Sequence, residues 1–194
     1  MSRIITPRRD LVLPRRVRQQ QGGFIINPFA HGAGPSTSHR HWSILITAND
    51  GSASYMGFTE VELRSTVGGA DFTVPQANDS AAARATDRVN TSNTWEKACD
   101  NNTATTGWLS NGVSGSKRWH YDCGDAGHTG NATEVVRQVS IRGSHNAPTA
   151  SPKDFLIQYS DDPTSSPTNW TTVLTVTGQT GWTGASDART FDLP

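Results

Sequence analysis

Apolar and polar residues alternate with a period of two along much of the chain beyond residue 41. The alternation is clearest in three stretches, at 42–47, 60–64 and 119–123. Because a period of two places successive side chains on opposite faces of an extended backbone, it predicts half-buried β-strands. The same criteria indicate further strands at 135–142, 155–160, 170–177 and 189–193.

Segments rich in turn-forming residues separate these predicted strands. The longest of them, 79–115, contains one predicted helical turn near 81–85. Only 34% of the residues are apolar, and the 18 Gly and 10 Pro recur throughout the chain, which disfavours a helical bundle. We therefore predict an all-β protein built as an antiparallel β-sandwich.

The charge of the chain is divided between two regions. The formal net charge is zero, but residues 1–41 carry seven Arg and one Asp, whereas residues 42–194 carry 10 basic and 16 acidic side chains. The first 41 residues also have too few apolar groups to fold alone. We predict two parts, an extended basic N-terminal arm at 1–41 and a folded domain at 42–194.

The arm contains Pro and Gly at intervals that exclude a long helix or strand. It also contains small apolar clusters, which a solvated linker does not need. We expect it to lie along a partner, with Arg side chains meeting acidic groups, although a disordered tail is the alternative. The expected partner-binding residues are Arg3, Arg8, Arg9, Arg15, Arg16, Arg18, Phe24 and Phe29.

Several classes of protein are not indicated. The chain has no nucleophile elbow, zinc-protease motif, phosphate-binding loop or dinucleotide fingerprint, so we expect no enzyme activity. No apolar run approaches the roughly 20 residues that span a bilayer, so no membrane insertion is expected. The N-terminus lacks the apolar core of a signal peptide, which predicts synthesis in a cytoplasm.

Histidine and cysteine give weak indications. His120 and His128 are expected to be structural or exposed. Cys99 and Cys123 are 24 positions apart, which fits no zinc-site spacing. They are either buried free thiols or a disulfide, and the sequence leaves both alternatives open.

The segment K-A-C-D-N-N-T-A-T-T-G-W, at 97–108, is rich in oxygen ligands. Ca²⁺ prefers carboxylate, carbonyl and hydroxyl oxygens, although Asp and Asn also stabilise turns without any ion. Further along are R-W-H-Y-D-C-G, V-S-I-R and P-K-D-F-L-I-Q-Y-S-D-D, followed by N-W-T-T-V. In this order the motifs resemble the discoidin family, which includes the coagulation factor V/VIII C-type domains and many carbohydrate-binding modules. The resemblance covers residues 42–194 and implies a galactose-binding-domain-like jelly roll.

One departure from the family concerns strand order. The strands H-R-H-W-S-I-L-I-T-A-N and Y-M-G-F-T-E-V-E-L-R resemble the pair that usually ends the domain, but here they come first. The domain therefore looks circularly permuted, a change that a sandwich with neighbouring termini tolerates. The resemblance of this permuted form implies a bacteriophage virion or tail protein.

The family also implies two sites. Its structural calcium site falls on Asp100, Thr105 and Glu60, although Asn101 replaces a Gly and one extra residue precedes Trp108. Its carbohydrate site lies on loops at one end of the sandwich. By position, that site falls on Trp182, His145 and Asn146.

These observations predict a non-enzymatic structural component of a bacteriophage particle, in the capsid decoration, neck or tail and baseplate. The arm would anchor it to other virion proteins, the sandwich would face outward, and a symmetric particle would provide homo-oligomeric contacts. The alternative is a lectin module that recognises host surface glycans for attachment. Binding of packaged DNA by the arm is a third, weaker alternative, so nucleic acid is not an expected partner.

Overall fold

A computed structural model describes residues 37–75, 85–125, 128 and 130–194 of the chain. Two short 3₁₀ turns, Trp95–Ala98 and Pro148–Ala150, are the only helical elements in these ranges. The strands are β1 (His41–Asn49), β2 (Gly57–Phe58), β3 (Glu60–Arg64), β4 (Trp108–Leu109), β5 (Lys117–Asp122), β6 (Gln138–Arg142), β7 (Pro152–Ser160), β8 (Thr171–Val176) and β9 (Ala188–Asp192).

The strands form two antiparallel sheets and a short ribbon. One sheet has the order β5-β1-β7-β8, the second has the order β3-β6-β9, and β2 pairs with β4. β1 is a central strand, since Ile44 pairs with Trp119 of β5 on one side and with Ile157 of β7 on the other. The predicted all-β class is confirmed, and the sheets are consistent with a β-sandwich.

Alternate residues of the strands supply the core. On β1, Trp42, Ile44 and Ile46 are almost fully buried. Between the sheets, the rings of Phe155 on β7 and Phe191 on β9 meet edge to face, with centroids 5.2 Å apart. Each fully buried large apolar side chain contributes about 1.5–3 kcal/mol. The period of two in the sequence therefore identifies the core-facing residues of the strands correctly.

The outer face of the β5-β1-β7-β8 sheet is polar but also largely buried. Ser43, His120 and Gln158 lie on this face and are all less than a tenth exposed. The segment 161–170 folds over them, and the carbonyl of Asp162 lies 3.0 Å from Nε2 of His41. A polar sheet face with a covering segment can hold a ligand between the two.

The Asp162 carboxylate fixes that covering segment. It accepts hydrogen bonds from the backbone N–H groups of Thr168 at 2.7 Å and Asn169 at 3.0 Å. These bonds lower the pKa of Asp162 to about 2. The carboxylate is therefore ionised at neutral pH and holds the turn before β8.

Contacts with the sheets extend to described residues before Trp42. The backbone of His39 forms two hydrogen bonds with Glu134, and its ring stacks on Tyr159 at a centroid distance of 3.5 Å. Of the predicted helical turn near 81–85, only residue 85 is described. No helix in the described ranges is long and apolar enough to cross a membrane.

Candidate functional site

Glu60 lies at the start of β3, on the face opposite the core residues Val61 and Leu63. Its side chain is buried, with 1% of the residue exposed. Neither carboxylate oxygen accepts a hydrogen bond of normal geometry. A buried carboxylate with so little hydrogen bonding is costly unless a cation or a proton compensates it.

Asp100 follows the 3₁₀ turn Trp95–Ala98 and begins the predicted oxygen-rich loop. One of its carboxylate oxygens accepts the backbone N–H of Asn102 at 2.9 Å, and the other is 3.5 Å from Nζ of Lys97. Asn101 has a φ of 56°. The family motif has Gly at this position, and Asn is among the residues that tolerate this conformation best. The departure from the motif therefore preserves the backbone of the loop.

The structure brings Glu60 and Asp100 close enough to repel each other. Burial raises the pKa of Glu60 to about 8, and the negative charge of Asp100 adds to the shift, with smaller contributions from Asp71 and Glu62. The backbone amide of Asn101 acts in the opposite direction. A divalent cation between the two carboxylates would convert this repulsion into attraction.

Thr105, the third predicted ligand, lies in the same loop. Its hydroxyl donates to the carbonyl of Asn102 at 3.4 Å, and the residue is partly buried. The described ranges contain no cluster of three or more His, Cys, Asp or Glu side chains placed for a metal ion. The predicted set has two carboxylates and otherwise needs hydroxyl and carbonyl oxygens, which suits Ca²⁺ better than a transition metal. The buried carboxylate of Glu60, which no cationic side chain neutralises in the described residues, fits such an ion.

Trp182 does not have the environment predicted for it. An aromatic residue that stacks on a sugar must expose a ring face, but Trp182 is 5% exposed and belongs to the core. Its indole N–H donates to the carbonyl of Pro152 at 3.0 Å, and the Arg189 guanidinium lies over the ring at 4.0 Å. Gly181 and Gly184, with φ of 73° and 108°, let this loop turn back so that the indole points inward. We correct the predicted sugar-stacking role of Trp182 to a packing role.

His145 and Asn146 are adjacent, but they line different clefts. His145 lines a cleft of about 390 Å³ together with Thr103 and Thr183. Asn146 lines another of about 360 Å³ on the side of Tyr55. The structure therefore does not unite the three predicted carbohydrate-binding residues in one site.

The two cysteines are free and buried. Burial raises the pKa of the Cys123 thiol, with the charges of Glu134 and Asp122 adding to the shift. Of the two alternatives that the sequence left open, the structure therefore has free thiols. The partner-binding residues predicted in the arm, Arg3, Arg8, Arg9, Arg15, Arg16, Arg18, Phe24 and Phe29, lie outside the described residues.

A cleft of about 280 Å³, which the sequence did not predict, lies on the outer face of the β5-β1-β7-β8 sheet. Arg118 and His120 of β5 line it, together with Thr168 and Trp170 of the segment before β8. Their spacing along β5 places Arg118 and His120 on one strand face, which was a usable signal. The contribution of Trp170 was not predictable, because the sequence made it the first residue of the predicted strand 170–177.

Comparison of the chain with protein-family models, curated proteins and solved structures finds no significant match. The discoidin resemblance therefore depends on the motifs quoted above.

Proposed function

We propose that the protein is a non-enzymatic structural component of a bacteriophage particle. The basic arm anchors it to neighbouring virion proteins, and the β-sandwich is displayed outward. The observation that carries the proposal is the division of charge at residue 41, from six net positive charges to six net negative charges. A cationic extended segment attached to an acidic domain suits a protein that inserts one end into an assembly.

The chemistry of the described residues supports a non-enzymatic role. Asp122, at the end of β5, pairs with Arg40 at 2.9 Å and lies 3.6 Å from Nδ1 of His41. Lys117 pairs with Asp87 at 2.8 Å. These groups are engaged in contacts between strands and loops, which is the usual role of structural ion pairs.

The arm would act by electrostatic attraction and ordering. Arg forms bidentate hydrogen bonds with carboxylates on a neighbouring subunit, and an extended segment becomes ordered as it docks. Many copies on a symmetric particle would raise the avidity of any weak contact that the outward domain makes.

Deleting residues 2–36 tests this function while retaining His39 and its contacts with Glu134. We expect the truncated domain to fold but not to enter particles. In the full-length chain, replacing the six Arg at positions 3–18 by Gln should also prevent incorporation, whereas replacing them by Lys, which keeps the charge, should preserve much of it. Normal copy number of the truncated or Gln protein in particles would refute the role of the arm.

We also propose that a structural Ca²⁺ ion binds Glu60, Asp100 and Thr105 and fixes the 97–108 loop to the sandwich. A ligand present at 100 times its dissociation constant stabilises the folded state by about 2.7 kcal/mol. Thermal unfolding should therefore shift upward in calcium relative to a chelator, and Asp100→Asn should abolish most of the shift. Glu62→Gln is the matched control, because Glu62 pairs with Arg142 at 3.3 Å. An equal shift in the wild type and Asp100→Asn would exclude this site.

The alternative function is a lectin module for host surface glycans. The cleft beside His145 favours it, since hydroxyl, guanidinium and imidazole groups of Thr103, Arg142 and His145 converge there. Glycan arrays with and without Ca²⁺ test this role, with His145→Ala as the variant. Binding that His145→Ala abolishes would support the lectin, and no binding to any glycan of the host envelope would refute it.

A further inference from the structure

The cleft on the outer face of the β5-β1-β7-β8 sheet combines several groups that recognise a small polar ligand. Its floor includes His120, which is 3% exposed, and its wall includes the partly buried Trp170. The ring centroids of these two residues are 5.6 Å apart. Thr86, Ser166 and Thr168 complete the lining. The Thr86 hydroxyl accepts the backbone N–H of Arg118 at 2.7 Å, and the Thr168 hydroxyl lies 3.5 Å from the Asp162 carboxylate.

Arg118 provides the charge of this cleft. Nη1 of its guanidinium donates to Oγ of Ser43 and, at 2.8 Å, to Oε1 of Gln158, and both acceptors are neutral. Within the part of the chain that the structure describes, only Nη1 of the guanidinium donates a hydrogen bond, and no carboxylate lies within ion-pairing distance of the side chain. Burial lowers the pKa of Arg118 to about 10, so the side chain remains charged at neutral pH.

Arg189 is a comparison for Arg118 within the same protein, because its guanidinium has both an indole and a carboxylate partner. Both Arg118 and Arg189 lie over an indole, at 4.3 Å from Trp170 and 4.0 Å from Trp182 respectively. Arg189 is neutralised by Asp187 at 3.0 Å. Arg118 has the same stacking geometry without a carboxylate, and its Nε and Nη2 edge has the donor arrangement that binds a carboxylate bidentately.

We propose that this cleft binds the carboxylate of an acidic monosaccharide, with the Nε and Nη2 edge of Arg118 as the anion-binding group. The exposed Ser166 hydroxyl, and the hydrogen-bonding capacity that the Thr86 and Thr168 hydroxyls retain beside their protein partners, are suited to a polyol. The indole of Trp170 supplies the apolar wall that sugar-binding sites commonly need. A simple anion would contact only the guanidinium of Arg118 and would use neither the hydroxyls nor the indole.

This site is separate from the calcium loop and from the cleft beside His145, and it does not rest on the proposed function. A failure of particle incorporation and a failure of sugar binding would therefore be distinguishable. The first would be observed in the arm variants, and the second in the intact chain.

Titration calorimetry of the full chain with sodium glucuronate provides the test. Two matched probes accompany it: glucose, which has the ring without the carboxylate, and acetate, which has the carboxylate without the ring. We expect saturable binding of glucuronate. Glucose should bind at least about tenfold more weakly, since a hydrogen bond to a charged group contributes about that factor or more. Acetate should also bind more weakly, because it lacks the hydroxyls and the apolar ring face that the cleft would contact. Equal binding of glucose or acetate would overturn the assignment, as would no saturable binding of glucuronate.

Variants connect the binding to this cleft. Arg118→Gln should weaken glucuronate binding about tenfold or more. If loss of the Ser43 and Gln158 contacts unfolds that variant, Ser166→Glu is the alternative, because Ser166 is exposed at the edge of the cleft and the new carboxylate would compete for Arg118. Ser166→Gln, with the same shape and no charge, should bind as the wild type does. Unchanged affinity in Ser166→Glu, or in a folded Arg118→Gln protein, would refute the site.

Discussion

Replacing Glu60 with Gln is expected to change how the stability of the protein depends on pH. Glu60 is buried on β3, and its two carboxylate oxygens accept no hydrogen bond of normal geometry. Without a cation, the folded protein must either desolvate a negative charge at this position or keep the carboxyl protonated. Gln removes the titration and leaves the shape of the side chain nearly unchanged.

The magnitude follows from the pKa of Glu60, which burial raises from 4.5 to about 8. Because the folded state holds this proton more tightly than the unfolded state, the favourable contribution is complete below pH 4.5 and is lost as the pH rises through about 8. The expected loss of unfolding free energy in the wild type is about 1 kcal/mol at pH 5, about 3 kcal/mol at pH 7 and about 5 kcal/mol at pH 9.

Urea denaturation with a chelator present, at pH 5, 7 and 9, measures this contribution. The difference in unfolding free energy between Glu60→Gln and the wild type should increase by about 4 kcal/mol in favour of Gln from pH 5 to pH 9. The free-energy cost of burying the Gln amide does not depend on pH, so it cancels when the differences at pH 5 and pH 9 are compared. The contributions of other groups that titrate equally in both proteins cancel as well. Saturating Ca²⁺ should remove most of the penalty from the wild type.

Glu62→Gln is the matched control, since Glu62 lies two residues further along the same face of β3. It removes a carboxylate that pairs with Arg64 and Arg142, so it should lower the unfolding free energy. A difference between Glu60→Gln and the wild type that stays constant from pH 5 to pH 9 would show that burial does not perturb Glu60, and would refute the reasoning.

Three further substitutions or measurements test the structure. Trp182→Ala should lower the unfolding free energy by about 3–5 kcal/mol in urea denaturation, because it removes a large core side chain; a change below about 1 kcal/mol would contradict the packing role. Burial alone would raise the pKa of Asp122, but its hydrogen bond with Arg40 and the nearby charge of His41 hold that pKa below its ordinary value. Asp122→Asn should therefore cost about 1.5–3 kcal/mol at neutral pH, the worth of a hydrogen bond to a charged group, and this cost should disappear as acid protonates the wild-type carboxylate; equal losses at acidic and neutral pH would contradict the ion pair. Both cysteines should react with a thiol reagent only at the rate of unfolding, and fast labelling of the native protein would show that they are accessible.

The strands were predictable because a period of two is a local property of the sequence. β1 is an example, since its alternating core residues lie within the predicted stretch 42–47. The two-residue strands β2 and β4 were missed because they are too short to show a period. Their pairing of Phe58 with Trp108 depends on the chain returning to the same place after about 50 residues.

In the candidate sites, too, the features that are local in sequence were predictable and those that depend on tertiary packing were not. Asp100 and Thr105 are close in sequence, and a motif was sufficient to identify their loop. The burial of Glu60 could not be predicted, because it depends on how distant parts of the chain pack around β3. The inward turn of Trp182 was hidden because a Gly-rich loop permits either direction. Trp170 joins Arg118 only because the segment before β8 folds over the sheet.

The central position of β1 has a consequence for the order in which the domain can form. β1 comes first among the described strands, but its neighbours are β5 and β7, so His41 must wait for Ser160 to be synthesised before the sheet is complete. Most of the stabilising strand pairs are therefore distant in sequence, which slows folding and leaves apolar strands exposed during translation. On a ribosome, Trp42, Ile44 and Ile46 emerge well before their partners. β1 therefore remains an unpaired, aggregation-prone strand during most of the translation of the chain. Expression at lower temperature or with added chaperones should increase the folded yield.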